Sequence, residues 1–137
     1  MRGAPGRPIP VLLDTTVLID ALRGRPAAER LLALRARGPV PWVCAINVEE
    51  VWRGLRAGEE EAGRLLLSGL RVAPLRGMEG ERAGLWRRNF AARGVTLTQA
   101  DCLIASAAVS AGVPLATGNP KDFPMRELVV EHWPVGR

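Results

Sequence analysis

A chain of 137 residues, 47% hydrophobic and 24% charged, can bury one ordinary core and is short for two. No apolar run approaches the roughly 20 residues of a membrane-spanning helix, and Cys44, Cys102 and the lone His132 show no spacing for a zinc cluster, so these three read as structural residues. The net charge of +5, with Lys121 the one non-arginine among 19 basic residues, suits a polyanionic partner, although arginine-rich usage beside many Ala, Gly and Pro also fits a GC-rich genome.

Residues 1–8, "MRGAPGRP", carry charge without an apolar segment behind it and read as a flexible basic arm, not a secretion signal, which places the chain in the cytoplasm. Residues 9–137 read as one domain. "IPVLLD" predicts a buried strand and "TTVLIDAL" a short helix. "PAAERLLALRAR" predicts a helix with Pro26 in its first turn and Gly38 past its end. "PVPWVCAI" is the second strand. In "NVEEVWRGLRAG", Val48, Val51, Trp52 and Leu55 repeat at the spacing of one apolar helix face. "EEEAGRLLLSGL" follows as a helix and "RVAPL" as a third strand. Residues 77–93 form a basic helix despite Gly77, Gly80 and Gly84. "TQADCLIASAAVSAG" is a helix ending at Gly112, "VPLAT" a fourth strand, and "LVVEHW" a candidate fifth. Strands alternating with helices predict an α/β fold with a mostly parallel sheet of four or five strands covered on both faces, in which ligands bind beyond the C-terminal strand ends.

Asp14 closes the first strand, and alone it reads equally as a helix cap, a phosphate-transfer nucleophile or a metal ligand. Glu50 lies three residues after Asn47 and Asp101 three after Thr98, a capping-box spacing in each case, yet the same helix-start position keeps a carboxylate ionised, as a metal ligand must be. Gly54 beside Glu50, and Ala105 and Ala108 after Asp101, leave bare helix surface next to each acid. After the fourth strand, "ATGNPKDF" brings Thr117, Asn119 and Asp122 to the same sheet edge, or forms only an Asn-Pro turn. Carboxylates gathered in one place repel unless a cation neutralises them, and an all-oxygen set selects Mg²⁺ or Mn²⁺ over zinc.

The order "LLDTTVLID", "INVEEVWRGL", "LTQADCLIASAA", "LATGNPKDF" resembles the PIN domain, and within it the VapC-type ribonuclease toxins of prokaryotic toxin-antitoxin pairs, from about residue 10 to residue 123. The resemblance implies a PIN-like three-layer α/β/α fold and a metal site on Asp14, Glu50 and Asp101, with Thr16 as hydroxyl partner of the first acid. The fourth position falls on Asn119, where many members carry Asp, or on Asp122, with Thr117 at the strand end in support. It further implies metal-dependent RNA cleavage through an activated water, a cognate antitoxin partner and a homodimer. Arg82, Arg87, Arg88 and Arg93 are candidate contacts to the RNA backbone, or simply a solvated basic face. Two alternatives stand beside this reading. A haloacid-dehalogenase-like phosphatase would need a second Asp where Thr16 stands, and a PIN-like binding module without useful catalysis would fit Asn119.

Overall fold

The computed structural model describes residues 9–136; the expected N-terminal arm lies outside the described residues. In chain order the elements are β1 (Leu12–Leu13), α1 (Thr15–Leu22), α2 (Pro26–Ala36), β2 (Trp42–Cys44), α3 (Ala45–Gly54), α4 (Glu60–Ser68), β3 (Arg71–Ala73), α5 (Gly77–Ala91), α6 (Gln99–Ala111), β4 (Leu115–Thr117), a 3₁₀ turn at Pro120–Asp122, and β5 (Val130–His132). The five strands form one parallel sheet in the order β3-β2-β1-β4-β5. The expected α/β class is therefore present, and the mostly parallel sheet of four or five strands is one of five strands, all parallel.

The strands are shorter than their apolar runs. Around β2, Pro39 and Pro41 have no N–H to give a ladder, and Ala45 and Ile46 already belong to α3, so of "PVPWVCAI" only three residues pair as strand. The short strands still sort their side chains by alternation. Leu12, Cys44, Ala73 and Leu115 face a layer containing Trp86, Cys102, Ile104 and Ala108 of α5 and α6. Leu13, Val43 and Ala116 face the opposite layer, with Val17 and Leu18 of α1, Leu31 of α2 and Val51 of α3. Both cysteines are buried free thiols, and burial pushes the Cys102 thiol up to about 11. The structural reading of the cysteines agrees with this.

Sheet order positions the site. Consecutive strands step away from β1 on one side to β2 and β3, then cross over to β4 and β5 on the other, so β1 lies at the switch point, where crossover helices diverge and leave a crevice above the strand ends. Asp14 is the first residue past β1. Helix α5 survives its glycines because Glu79, Ala83 and Trp86 are buried along it, tertiary packing outweighing about 1 kcal/mol of propensity per glycine. It stops at Ala91, two residues before the expected end, where Gly94 turns the chain with φ 81°.

Candidate metal and phosphodiester site

Asp14 occupies the N-cap position of α1 but makes no side-chain cap; the backbone carbonyl alone receives Val17 and Leu18 N–H, at 3.0 and 3.1 Å. Its carboxylate is used elsewhere. Oδ2 accepts from Thr117 Oγ1 at 2.7 Å and from Thr16 Oγ1 at 3.0 Å. Each hydroxyl has its polarity set from behind, because Asn119 N–H donates to Thr117 Oγ1 at 3.0 Å and Gly118 N–H to Thr16 Oγ1 at 3.2 Å. A hydroxyl has one proton, so with a backbone donor on its lone pair it turns that proton to the carboxylate.

Glu50 is held by the same device. Thr15 Oγ1 donates to Glu50 Oε1 at 2.6 Å, and Asn47 Nδ2 donates to Thr15 Oγ1 at 3.1 Å. Asn47 cannot flip, since its Oδ1 accepts Cys44 N–H at 2.8 Å. This corrects the capping expectation for α3: Asn47 is not the N-cap but the third helical residue, fully buried, and Cys44 is the N-cap. Glu50 is therefore not half of a capping box. Helical phase separates the neighbouring acids, Glu49 being exposed and Glu50 half-buried. At α6 the expected cap is present, as Thr98 Oγ1 accepts Asp101 N–H at 3.1 Å.

Asp14, Glu50, Asp101, Asn119 and Asp122 all line one cleft of about 360 Å³, with Thr16 in its wall. Both candidates for the fourth position thus reach the cleft. Thr117 lies beneath, fully buried. Larger hollows exist, including one of about 530 Å³ beside Trp133, but Glu29 and Glu131 are its only acids; chemistry and not size marks the site. The acids sense one another. Burial raises the Asp14 carboxyl above its usual range against the lowering effect of the Thr117 and Thr16 hydroxyls, and the charge of Glu50 adds to the rise. Burial likewise pushes Asp101 up to about 6, opposed by the Thr98 hydroxyl and reinforced by the charges of Asp14, Asp122 and Glu50.

The basic helix is less uniform than its sequence. Arg82 Nη1 donates to Ser106 O, Ser106 Oγ and Ser110 Oγ at 2.9, 3.1 and 2.8 Å, joining α5 to α6. Arg87 Nε reaches Leu97 O at 3.3 Å, and Arg93 lies over the Phe90 ring at 4.4 Å. Arg88 is exposed and among the described residues makes no such bond. None of the four lines the acidic cleft, whose one basic residue is Arg53, near the end of α3. Arg53 and Thr15 were not singled out from sequence for this site, and Asn47 only as a cap before Glu50; the signals were the placement of Arg53 one helical turn after Glu50 and of Thr15 directly after Asp14.

An α/β crevice with paired hydroxyls and several carboxylates defines a class before any relative is considered, and similarity to known proteins agrees with it. The PIN-domain family profile matches residues 11–125, and the chain belongs to the PIN-domain family. It is 34% identical over 118 residues to Ribonuclease VapC10 of Mycobacterium tuberculosis, covering 85% of this chain and 88% of that one. Among solved structures it is similar to a toxin-antitoxin complex from Klebsiella pneumoniae, with TM-score 0.71, 29% identity and coverage of 87% and 95%. VapBC2 from Rickettsia felis bound to a DNA fragment from its promoter shares the fold, with TM-score 0.77, 22% identity and coverage of 90% and 98%.

Proposed function

We propose that this chain is a Mg²⁺- or Mn²⁺-dependent endoribonuclease, the toxin of a toxin-antitoxin pair, with Asp14, Glu50, Asp101 and Asp122 as its metal-binding acids. The observation that carries the reading is the convergence of carboxylates from the end of β1, from α3, from α6 and from the turn after β4 on one cleft at the switch point. The likeness to a named VapC ribonuclease and to a toxin-antitoxin complex supports the substrate and the partner.

The donor set fits such an ion. Every candidate ligand is oxygen, and the raised Asp14 and Asp101 carboxyls are groups that a cation would return to their ionised form. Among the described residues no three His, Cys, Asp or Glu side chains are grouped closely enough to hold one ion. The four acids would therefore reach it in part through bound water, as Mg²⁺ allows by keeping several waters beside one or two direct carboxylates. When bound, the ion supplies a lowered water pKa and positive charge beside the phosphate. Thr16 and Thr117 orient Asp14, Thr15 orients Glu50, and Arg53 at the rim attracts the RNA backbone without engaging the acids' own hydrogen bonds.

Arg87, Arg88 and Arg93, all exposed, supply more distant phosphate contacts, while Arg82 is committed to α6. Exposed Leu32, Leu65, Val72 and Met78 supply apolar surface for an antitoxin and a second copy. Of the three leucines in α4 only Leu65 is so exposed, since Leu66 and Leu67 pack on the core. The test is incubation of the purified chain with RNA in Mg²⁺, Mn²⁺ and EDTA, with and without the protein encoded by the neighbouring gene. Internal cuts that need the ion and stop on addition of the partner support the proposal; RNA binding without cutting under every condition makes the chain a binding module instead.

A further inference from the structure

Behind the first turn of α1 lies a second hollow, of about 340 Å³, lined by Thr15, Thr16, Ile19, Asp20, Arg25 and Val135 with Gly136 at its edge. Thr15, Thr16 and Ile19 belong to both hollows, so the acidic cleft and this one meet along a single helix face. Its far wall is built, not incidental. Asp20 is buried and spends both oxygens, Oδ1 on Gly136 N–H and Oδ2 on Ala27 N–H, each at 2.9 Å. Val135 packs on Gly118, where a Cβ would stand 2.7 Å from Val135 Cγ2, so only glycine lets the C-terminal segment close this wall.

The chemistry of the hollow differs from that of its neighbour. The Thr15 and Thr16 hydroxyls are committed to Glu50 and Asp14, and the Gly136 N–H and both Asp20 oxygens are committed to each other and to Ala27. What remains is aliphatic wall from Ile19 and Val135, with the Arg25 guanidinium at the side. A phosphate would find one donor group there, the Arg25 guanidinium, beside a buried carboxylate and an otherwise aliphatic wall. A flat, largely apolar group attached to an anionic strand suits it better.

We propose that this hollow receives the nucleobase adjoining the phosphate that is cut and selects that base by size. The inference rests on the ribonuclease reading of the acidic cleft. With the two threonine hydroxyls, Asp20 and the Gly136 N–H already spent, only the exposed Arg25 guanidinium is left to read a base edge, so the hollow separates purines from pyrimidines more than members of either class.

The experiment is cleavage of a randomised single-stranded RNA pool, with the bases flanking each cut counted, for wild type and Val135→Trp. The expected result is a purine-versus-pyrimidine bias of about tenfold or more at one flanking position, as an apolar pocket supplies, that collapses toward unity when the indole fills the hollow. A wild type that cuts with no size bias, or a variant that keeps the bias, overturns the inference while leaving the nuclease reading intact. A wild type that cuts no RNA overturns the nuclease reading itself, and this inference with it. Should Val135→Trp not fold, wild-type methyl NMR decides. Val135 methyl shifts on adding nucleoside 5′-monophosphates but not ribose 5-phosphate uphold the base site; no Val135 shift, or equal shifts with both, overturns it.

Discussion

Thr117 Oγ1 donates to Asp14 Oδ2 at 2.7 Å, joining the ends of two adjacent parallel strands across 103 residues of sequence. With Thr16 on the same oxygen, Asp14 is held by two oriented donors, and the direction of its second oxygen follows from theirs. Replacing either hydroxyl by the isosteric valine removes an outer partner of the proposed ligand while keeping volume. Thr16→Val and Thr117→Val should each lower Mn²⁺ affinity or RNA cleavage about 10–100-fold. Titration of Mn²⁺ binding alongside cleavage rates checks this; wild-type values in both variants would show that the hydroxyls do not orient the acid.

The relay behind Glu50 should show in stability as well as activity. Asn47→Ala leaves the buried Cys44 N–H unpaired and Thr15 without the donor that sets its proton, so a loss of about 1–3 kcal/mol is expected, with weaker metal binding. Thr15→Val keeps the Cys44 contact but strips the buried Asn47 Nδ2 of its acceptor and Glu50 of its donor, so it too should lose stability together with metal binding. Urea unfolding beside Mn²⁺ titration of both variants checks this.

The raised Asp101 carboxyl gives a pH signature with a definite sign. Its folded pKa of about 6 lies above the ordinary 3.8, so its protonation favours the folded state, fully below about pH 4, and this contribution is lost as pH rises through about 6. Asp14 is shifted in the same direction. In EDTA, wild type should therefore melt higher at pH 5 than the trend of Asp101→Asn predicts, the two curves diverging across that window. Mn²⁺ affinity should move the opposite way and fall as pH drops through about 6, because protons compete for the ligands. Parallel melting curves for the two proteins from pH 4.5 to 7.5 would contradict the assignment.

Among the arginines of α5, structure and substrate roles divide. Arg82→Ala should lose about 1–2 kcal/mol of stability through the Ser106 and Ser110 bonds and leave RNA affinity largely unchanged. Arg88→Gln and Arg53→Gln should melt like wild type, and each should reduce the slope of log affinity against log salt by about 0.7, the value for one contact to single-stranded nucleic acid. Fluorescence anisotropy with an RNA oligonucleotide in EDTA measures the slopes.

The acids were legible because a strand end, a helix phase and a helix start are local patterns. "VLLD" marks Asp14, the apolar spacing of Val48, Val51 and Leu55 turns Glu50 and not Glu49 to the cleft, and Thr98 announces the start of α6 before Asp101. The threonine relays were only half legible. Thr16 and Thr117 come from the family pattern, but the Asn47–Thr15–Glu50 chain exists because β2 lies beside β1, and strand order is not written in any short segment. Arg82, Arg87, Arg88 and Arg93 look alike in sequence, and only the packing of α5 on α6 distinguishes Arg82. The Asn47 capping expectation failed for a related reason, since the helix began two residues earlier, at Ala45.

The central claim, that the acidic cleft holds a divalent ion for RNA cleavage, is tested most directly by Asp14→Asn, which keeps the side chain's shape and removes its charge. Cleavage of RNA is measured against Mn²⁺ concentration for wild type and variant, with melting in EDTA recorded on the same preparations. Wild-type cleavage should rise and saturate with Mn²⁺ and vanish in EDTA. The variant should cut more than about a hundredfold more slowly, beyond the loss expected for an outer partner, while melting no lower than wild type because a carboxylate disfavoured by burial, and further by the charge of Glu50, has been neutralised. A variant that melts lower yet cuts RNA at the wild-type rate, or a wild type that cuts equally well in EDTA, would contradict the account.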